Sequence, residues 1–78
     1  MDAAAVEFQE ILSFLNDDNL SALKDLFLLN LSEDDARRFI RGKALDGSLF
    51  NAYCARVLVQ DPLAFVQTEI ESRAVVIL

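Results

Sequence analysis

The sequence contains no histidine and no tryptophan, a single cysteine, one proline and two glycines. Most acid–base and nucleophilic mechanisms use histidine, so the usual catalytic apparatus is missing. The lone Cys54 excludes an internal disulfide, and the chain has no Cys or His spacing typical of a metal site and no glycine-rich phosphate loop. With so few glycines and prolines, the turns of an all-β fold are missing too. We therefore expect a non-enzymatic protein that holds no cofactor and no metal.

Long apolar runs are also absent. No stretch approaches the roughly 18–20 apolar residues of a membrane-spanning helix, and Met1 is followed by Asp2 rather than by the basic and apolar regions of a secretory signal. A single cysteine fits a reducing compartment. We therefore expect a cytoplasmic protein without membrane contact, and the length of 78 residues predicts one helical domain over residues 1–78.

Apolar residues, by contrast, are abundant. They make up 54% of the chain, above the roughly 45–50% of ordinary soluble domains. A small domain has a large surface for its volume, so it has difficulty burying so many apolar side chains. We expect some of them to lie at an interface with a partner protein or with a second copy of this chain. The alternative is a tightly packed monomer.

The apolar residues recur at steps of three and four through most of the chain, which is a period typical of helices. This pattern predicts an all-α fold, a compact bundle of about five short helices. The predicted segments run from Ala3 to about 15, from about 20 to 30, from Ser32 to Gly42, from 46 or 48 to about 59, and onward from Asp61 and Pro62.

Polar residues and one glycine predict where these helices begin and end. N-cap side chains are available before four of the helices: Asp2, Asp18 or Asn19, Ser32, and Asp61. Gly42 is expected to end the third helix in a left-handed conformation. On the fourth helix, Leu49 or Phe50 shares one face with Tyr53 and Val57, with Cys54 as a further candidate, and we expect this face to be buried.

The second helix and the end of the chain carry the candidate apolar contacts. Leu28 and Leu29 widen the apolar stripe of the second helix, which indicates a central or interface helix. Val76, Ile77 and Leu78 form an unusually apolar terminus, for which a last helical turn, a short strand and a partner-binding tag all remain open. We predict that these five residues contact a protein partner, either another protein or a second copy.

Charge is divided unevenly along the sequence. Residues 1–35 carry nine acidic side chains and one basic side chain, a net charge of −8, whereas residues 36–60 carry five basic side chains and one acidic, a net charge of +4. Arg37, Arg38 and Arg41 are predicted to form an electrostatic rim, which would act mainly on orientation and association rate. Two alternatives remain, namely stabilisation of the helix C-terminus and pairing with the acidic first part of the chain.

The net charge of −6 argues against direct binding to nucleic acid or to an anionic membrane. It leaves a second function open, that of a small acidic inhibitor of a nucleic-acid-handling complex, of the type that mobile elements encode. In that function, carboxylates would take the place of phosphates. The candidates are Asp17, Asp18, Glu33, Asp34 and Asp35. A simpler explanation is that they belong to a turn and to the first turn of a helix.

Two short stretches resemble motifs of known families. Residues 10–15, which read Glu-Ile-Leu-Ser-Phe-Leu, resemble the opening of an F-box, but the Leu-Pro that begins that motif and the Trp that closes it are absent. Residues 46–49, which read Asp-Gly-Ser-Leu, resemble the prosthetic-group motif of acyl carrier proteins, but Gly47 interrupts its Asp-Ser-Leu order. Neither resemblance assigns the chain to a family.

Overall fold

The computed structural model describes residues 2–75, and over that range it confirms the predicted all-α bundle of short helices. No β-strand occurs between residues 2 and 75. The elements are α1 (Ala3–Ser13), α2 (Asp17–Leu29), α3 (Glu33–Gly42), α4 (Ser48–Cys54), a 3-10 turn (Ala55–Leu58) and α5 (Pro62–Ala74). None of the helices in the described part of the chain is both long enough and apolar enough to cross a membrane.

Three of the predicted N-caps are confirmed and one is wrong. The side chains of Asp2, Ser32 and Asp61 each accept a hydrogen bond from a backbone N–H two or three residues ahead, at 3.0, 3.2 and 3.3 Å. The second helix begins earlier than predicted, because Asn16 is its cap and accepts the backbone N–H of Asn19 at 2.7 Å. The two aspartates that follow the cap therefore lie in the first turn, where the helix dipole favours negative charge.

The predicted left-handed glycine at the end of α3 is also wrong. Gly42 is the last residue of the helix, and the residue with a positive φ, 53°, is Ala44. The backbone N–H of Leu45 donates to the carbonyl of Ile40 at 3.0 Å, and that of Ala44 donates to the carbonyl of Arg41 at 3.1 Å. This pair of hydrogen bonds is a Schellman motif, so the left-handed position falls two residues after the glycine.

The fourth predicted helix is only partly α-helical. It changes after Cys54 into the 3-10 turn, and Val57, which was expected to be buried, is 78% exposed. Four residues rotate the chain by about 400° in an α-helix and by about 480° in a 3-10 helix. Leu49 and Tyr53 are therefore buried as predicted, whereas Val57 is rotated away from their face toward solvent.

Helix α2 packs against both α4 and α5. Helix α3 packs on α4, and α1 packs on the 3-10 turn, α4 and α5. Arg73, at the end of α5, contacts Leu15 after the end of α1 and Asp17 at the start of α2. The helices α1 and α5 therefore run in the same direction, and α2 runs antiparallel to both.

The core is formed by all five α-helices in the described part of the chain. Phe8 packs against Phe65 in an edge-on arrangement with the ring centres 5.7 Å apart, and Phe27 stacks on Tyr53 at 5.6 Å. The Tyr53 hydroxyl donates to the carbonyl of Leu31 at 2.5 Å, so the buried polar end of this side chain is satisfied. The buried apolar residues are Phe8, Leu12, Leu15, Leu20, Ala22, Leu23, Leu26, Ala36, Ile40, Leu49, Ala52, Tyr53 and Val66.

Candidate protein-binding surfaces

Several large apolar side chains remain exposed to solvent. They are Val6, Phe14, Leu28, Leu29, Val57, Leu58 and Val75. Single exposed apolar residues are common on soluble proteins, so the informative question is which of them share a surface. Three of the seven line two neighbouring pockets that share Ala5 and Phe65: Val6 lines the first, and Val57 and Leu58 line the second.

The two pockets together are named here the α1–α5 groove, which follows α1 and extends to the 3-10 turn. Their volumes are about 620 and about 640 Å³, and Ala5 and Phe65 line both. The lining residues are Asp2, Ala5, Val6, Gln9, Glu10, Ser13, Val57, Leu58, Val59, Gln60, Asp61 and Phe65. Residues of α1, the 3-10 turn and α5 therefore line this open surface.

The floor of the α1–α5 groove is fixed, whereas its walls are free to contact a ligand. Phe65 is held edge-on against the fully buried Phe8, so its ring keeps its position without a ligand. The walls are apolar: Val6 is 44% exposed, Val57 is 78% exposed and Leu58 is 39% exposed. An apolar ligand that covered the groove would remove these three side chains from water without rebuilding the core.

The charges that line the α1–α5 groove are all negative. Asp2 and Asp61 lie near the 3-10 turn, and Glu10 lies farther along α1. None of the described residues that line the groove is Lys or Arg. The two aspartates are held in position because one oxygen of each caps a helix, and the second oxygen of each is left to accept a hydrogen bond from a ligand.

A second surface, named here the α3–α4 groove, has the opposite charge. It has a volume of about 420 Å³, and its lining residues are Arg37, Ile40, Arg41, Leu45, Gly47, Phe50 and Asn51. The guanidinium of Arg37 lies over the ring of Phe50, 4.3 Å from its centre. The neighbouring Arg38 points elsewhere on α3 and pairs with Asp35 at 3.3 Å.

The structure separates the residues that the sequence grouped as one apolar surface with a basic rim. Leu28 and Leu29 are exposed, at 59% and 58%, near the end of α2, but they line neither groove. Arg37 and Arg41 border the α3–α4 groove instead, and Arg38 belongs to an ion pair. The other predicted apolar contacts, at positions 76–78, lie outside the described residues.

The predicted phosphate-mimicking carboxylates form two patches. Asp17 and Asp18 lie in the first turn of α2, and residues 33–35 lie in the first turn of α3. The 13 residues of α2 separate these two turns by about 18–20 Å along the helix axis. Asp17 also pairs with Arg73 at 3.2 Å, so one of the five candidates serves the fold.

Arg73 joins the end of α5 to the end of α1 and the start of α2. Its guanidinium donates to the carbonyls of Leu12 at 3.0 Å and Leu15 at 2.6 Å, and to the carboxylates of Glu69 at 3.0 Å and Asp17 at 3.2 Å. Burial alone would lower the pKa of Arg73, but the two carboxylates outweigh burial and raise this pKa above its ordinary value. The side chain therefore remains a cation while it stabilises the C-terminal carbonyls of α1.

Sequence reasoning missed the α1–α5 groove because it singled out neither Val6 nor Phe65, and because it placed Val57 on a buried face. The available signal was the run Val57-Leu58-Val59 just before Asp61 and Pro62. Three apolar residues at the end of a helix, directly before a new cap, have little room to turn inward.

Comparisons found no family model, no curated protein and no solved structure that matches this chain. Within residues 2–75, no three or more His, Cys, Asp or Glu side chains are grouped so that they could hold a metal ion. The chemistry of the two grooves is therefore the basis on which a function can be proposed.

Proposed function

We propose that this chain is a non-enzymatic protein-interaction module that binds an amphipathic helix of a partner protein in the α1–α5 groove. The observation that carries the proposal is the meeting of Val6, Val57 and Leu58, all exposed, around the fixed ring of Phe65. An amphipathic helix laid in an apolar groove is a recurrent mode of peptide recognition. The single cysteine favours the cytoplasm as the place where the module acts.

The exposed wall of the groove would contribute part of the binding free energy. Full burial of a Val or Leu side chain contributes about 1.5–3 kcal/mol. Scaled by the exposed fractions of the three wall residues, their burial contributes about 3 kcal/mol. That contribution corresponds to a factor of about one hundred in the dissociation constant.

The charge of the rim indicates the chemistry of the partner helix. Asp2, Glu10 and Asp61 would repel an acidic segment and attract Lys or Arg beside the apolar anchors. The α1 helix, with 11 residues, is about 16 Å long. The groove along it therefore accommodates about three turns of a partner helix.

The test is titration calorimetry with a designed peptide, called here the Leu/Lys peptide. It is an amphipathic helix of about 14 residues, with Leu on one face and Lys elsewhere. We expect it to bind the wild-type chain with a negative heat-capacity change. The double variant Val6→Ser/Val57→Ser should bind at least about tenfold more weakly. Both side chains are exposed, and circular dichroism will check that the variant folds.

Two further variants separate the α1–α5 groove from the other exposed apolar residues. Phe14 is 82% exposed and lines neither groove, so Phe14→Ser should leave the affinity unchanged within about twofold. The variant Leu28→Ser/Leu29→Ser removes the surface that the sequence indicated. If this variant, rather than the groove variant, abolishes binding, the partner docks at the end of α2 and the proposal is wrong.

Salt dependence and light scattering distinguish the remaining interpretations. Binding in an apolar groove should weaken only moderately as salt is raised, whereas an inhibitor that mimics phosphates should lose affinity for a basic protein steeply.

Light scattering tests whether the partner is a second copy of the chain. A dimer that the groove variant dissociates would place a second copy of the chain in the α1–α5 groove, and would contradict a separate partner.

A further inference from the structure

We infer that the α3–α4 groove is a second binding site, and that it takes a carboxylate-rich peptide segment with an apolar anchor. The site shares no lining residue with the α1–α5 groove, and its charge is opposite. The inference therefore does not depend on the function proposed for the other groove.

The α3–α4 groove is positively charged, and no acidic side chain among its lining residues neutralises that charge. Arg37 and Arg41 stand four residues apart, on one face of α3, and both line the groove. Within residues 2–75, no carboxylate forms an ion pair with either side chain, and none lines the groove. Arg38, which does form such a pair, points out of the groove. The chain as a whole has a net charge of −6, whereas these two unpaired guanidiniums make the surface around them positive.

One of the two arginines is already oriented for a ligand. Arg37 stacks on the ring of Phe50 at 4.3 Å, and a guanidinium held over an aromatic face keeps its charge and its outward N–H donors. A planar guanidinium can bind a carboxylate through two parallel hydrogen bonds. Arg41, one turn later, is exposed and available for a second carboxylate.

The apolar floor indicates a peptide rather than a nucleic acid. Ile40, Leu45 and Phe50 form this floor, and the Schellman motif fixes Leu45 beside Ile40. A leucine or an aromatic side chain of a peptide would fill this floor, whereas a phosphate backbone offers nothing apolar to it.

The test uses a second designed peptide, called here the Leu/Glu peptide, which keeps the Leu pattern of the Leu/Lys peptide and replaces every Lys with Glu. Titration of the full chain at about 50 mM salt should show binding. The double variant Arg37→Gln/Arg41→Gln should weaken that binding at least about tenfold. Arg38→Gln is the matched control and should change it by less than about twofold. A peptide with Ser in place of Leu should bind at least about tenfold more weakly.

Other results would overturn the inference. Absence of binding, or an equal loss in the Arg38→Gln control, would show that the groove does not select the peptide. A short single-stranded oligothymidylate that bound more tightly than the peptide, with the same dependence on Arg37 and Arg41, would make the ligand a nucleic acid. The Leu/Lys peptide should bind the arginine variants and the wild-type chain equally well, which also reports that the variants are folded.

Discussion

At the scale of single residues, Arg73 joins parts of the chain that are far apart in sequence. It reaches from α5 to the last carbonyls of α1 and to the first turn of α2. Carbonyls at the C-terminus of a helix lack the full set of hydrogen bonds of the helix interior, and the carbonyl of Leu12 accepts the backbone N–H of Leu15 at 3.1 Å as well as Arg73. The planar fork of arginine suits this position, since it donates in several directions at once, whereas a lysine ammonium acts as a compact point charge.

We predict that Arg73→Lys lowers the free energy of unfolding by about 2 kcal/mol. The lysine keeps the positive charge but cannot reach the carbonyls of Leu12 and Leu15 together with both carboxylates. Urea unfolding followed by circular dichroism measures the change. The matched control is Arg38→Gln, which removes an exposed ion pair with Asp35 and should cost less than about 0.5 kcal/mol. Equal effects of the two variants would show that Arg73 contributes only an ordinary surface contact.

At the scale of the helices, the end of α3 places its glycine and its left-handed residue at different positions. Gly42 is helical, and a Cβ added there would meet no atom within 4 Å. Ala44 has the positive φ that glycine adopts without strain. A left-handed conformation costs an alanine about 1–2 kcal/mol. The contact between Leu45 and Ile40 therefore outweighs the preference of Ala44 for a negative φ.

Exchanging the two residues tests this description of the helix end. Gly42→Ala should raise the free energy of unfolding by about 0.5–1 kcal/mol, because alanine is the better helix former. Ala44→Gly should raise it by a similar amount, about 0.5–1 kcal/mol, through relief of the left-handed strain. Thermal unfolding of both variants measures the changes. If Gly42→Ala were destabilising, the left-handed residue would be Gly42, as the sequence alone suggested.

The helices show which parts of the fold are predictable from sequence. Ser32 and Asp61 were found as caps because an N-cap interaction involves residues only two or three positions apart. The start of α2 was misplaced because several turn-favouring residues follow one another there. Periodicity placed Val57 on the buried face, because the change from an α-helix to a 3-10 helix after Cys54 has no periodic signal of its own.

At the scale of the whole molecule, the chain divides its charge between two apolar grooves. The acidic excess of the N-terminal part contributes two of the three carboxylates at the α1–α5 groove, and the basic middle of the chain supplies the guanidiniums of the α3–α4 groove. Two grooves of opposite charge would let one small domain hold two partners without competition between them. The uneven charge along the sequence thus indicated two regions of opposite charge, although it did not show which residues are neighbours.

The α1–α5 groove depends on a long-range pairing that periodicity does not report. Ala5 and Phe65 line it together although 60 residues separate them in the sequence. Periodicity identifies the apolar face of one helix, but it does not show that α1 packs on α5. The excess of apolar residues predicted that an exposed apolar surface should exist, and only the fold shows where it is.

The most direct test of the central claim is a map of backbone amide chemical shifts while the Leu/Lys peptide is added to the isotope-labelled chain. We expect the largest shifts at the amides of Val6, Val57 and Phe65, and saturation at the dissociation constant that calorimetry gives. Shifts concentrated at Leu28 and Leu29, with the groove amides unmoved, would contradict the assignment of the α1–α5 groove as the binding surface.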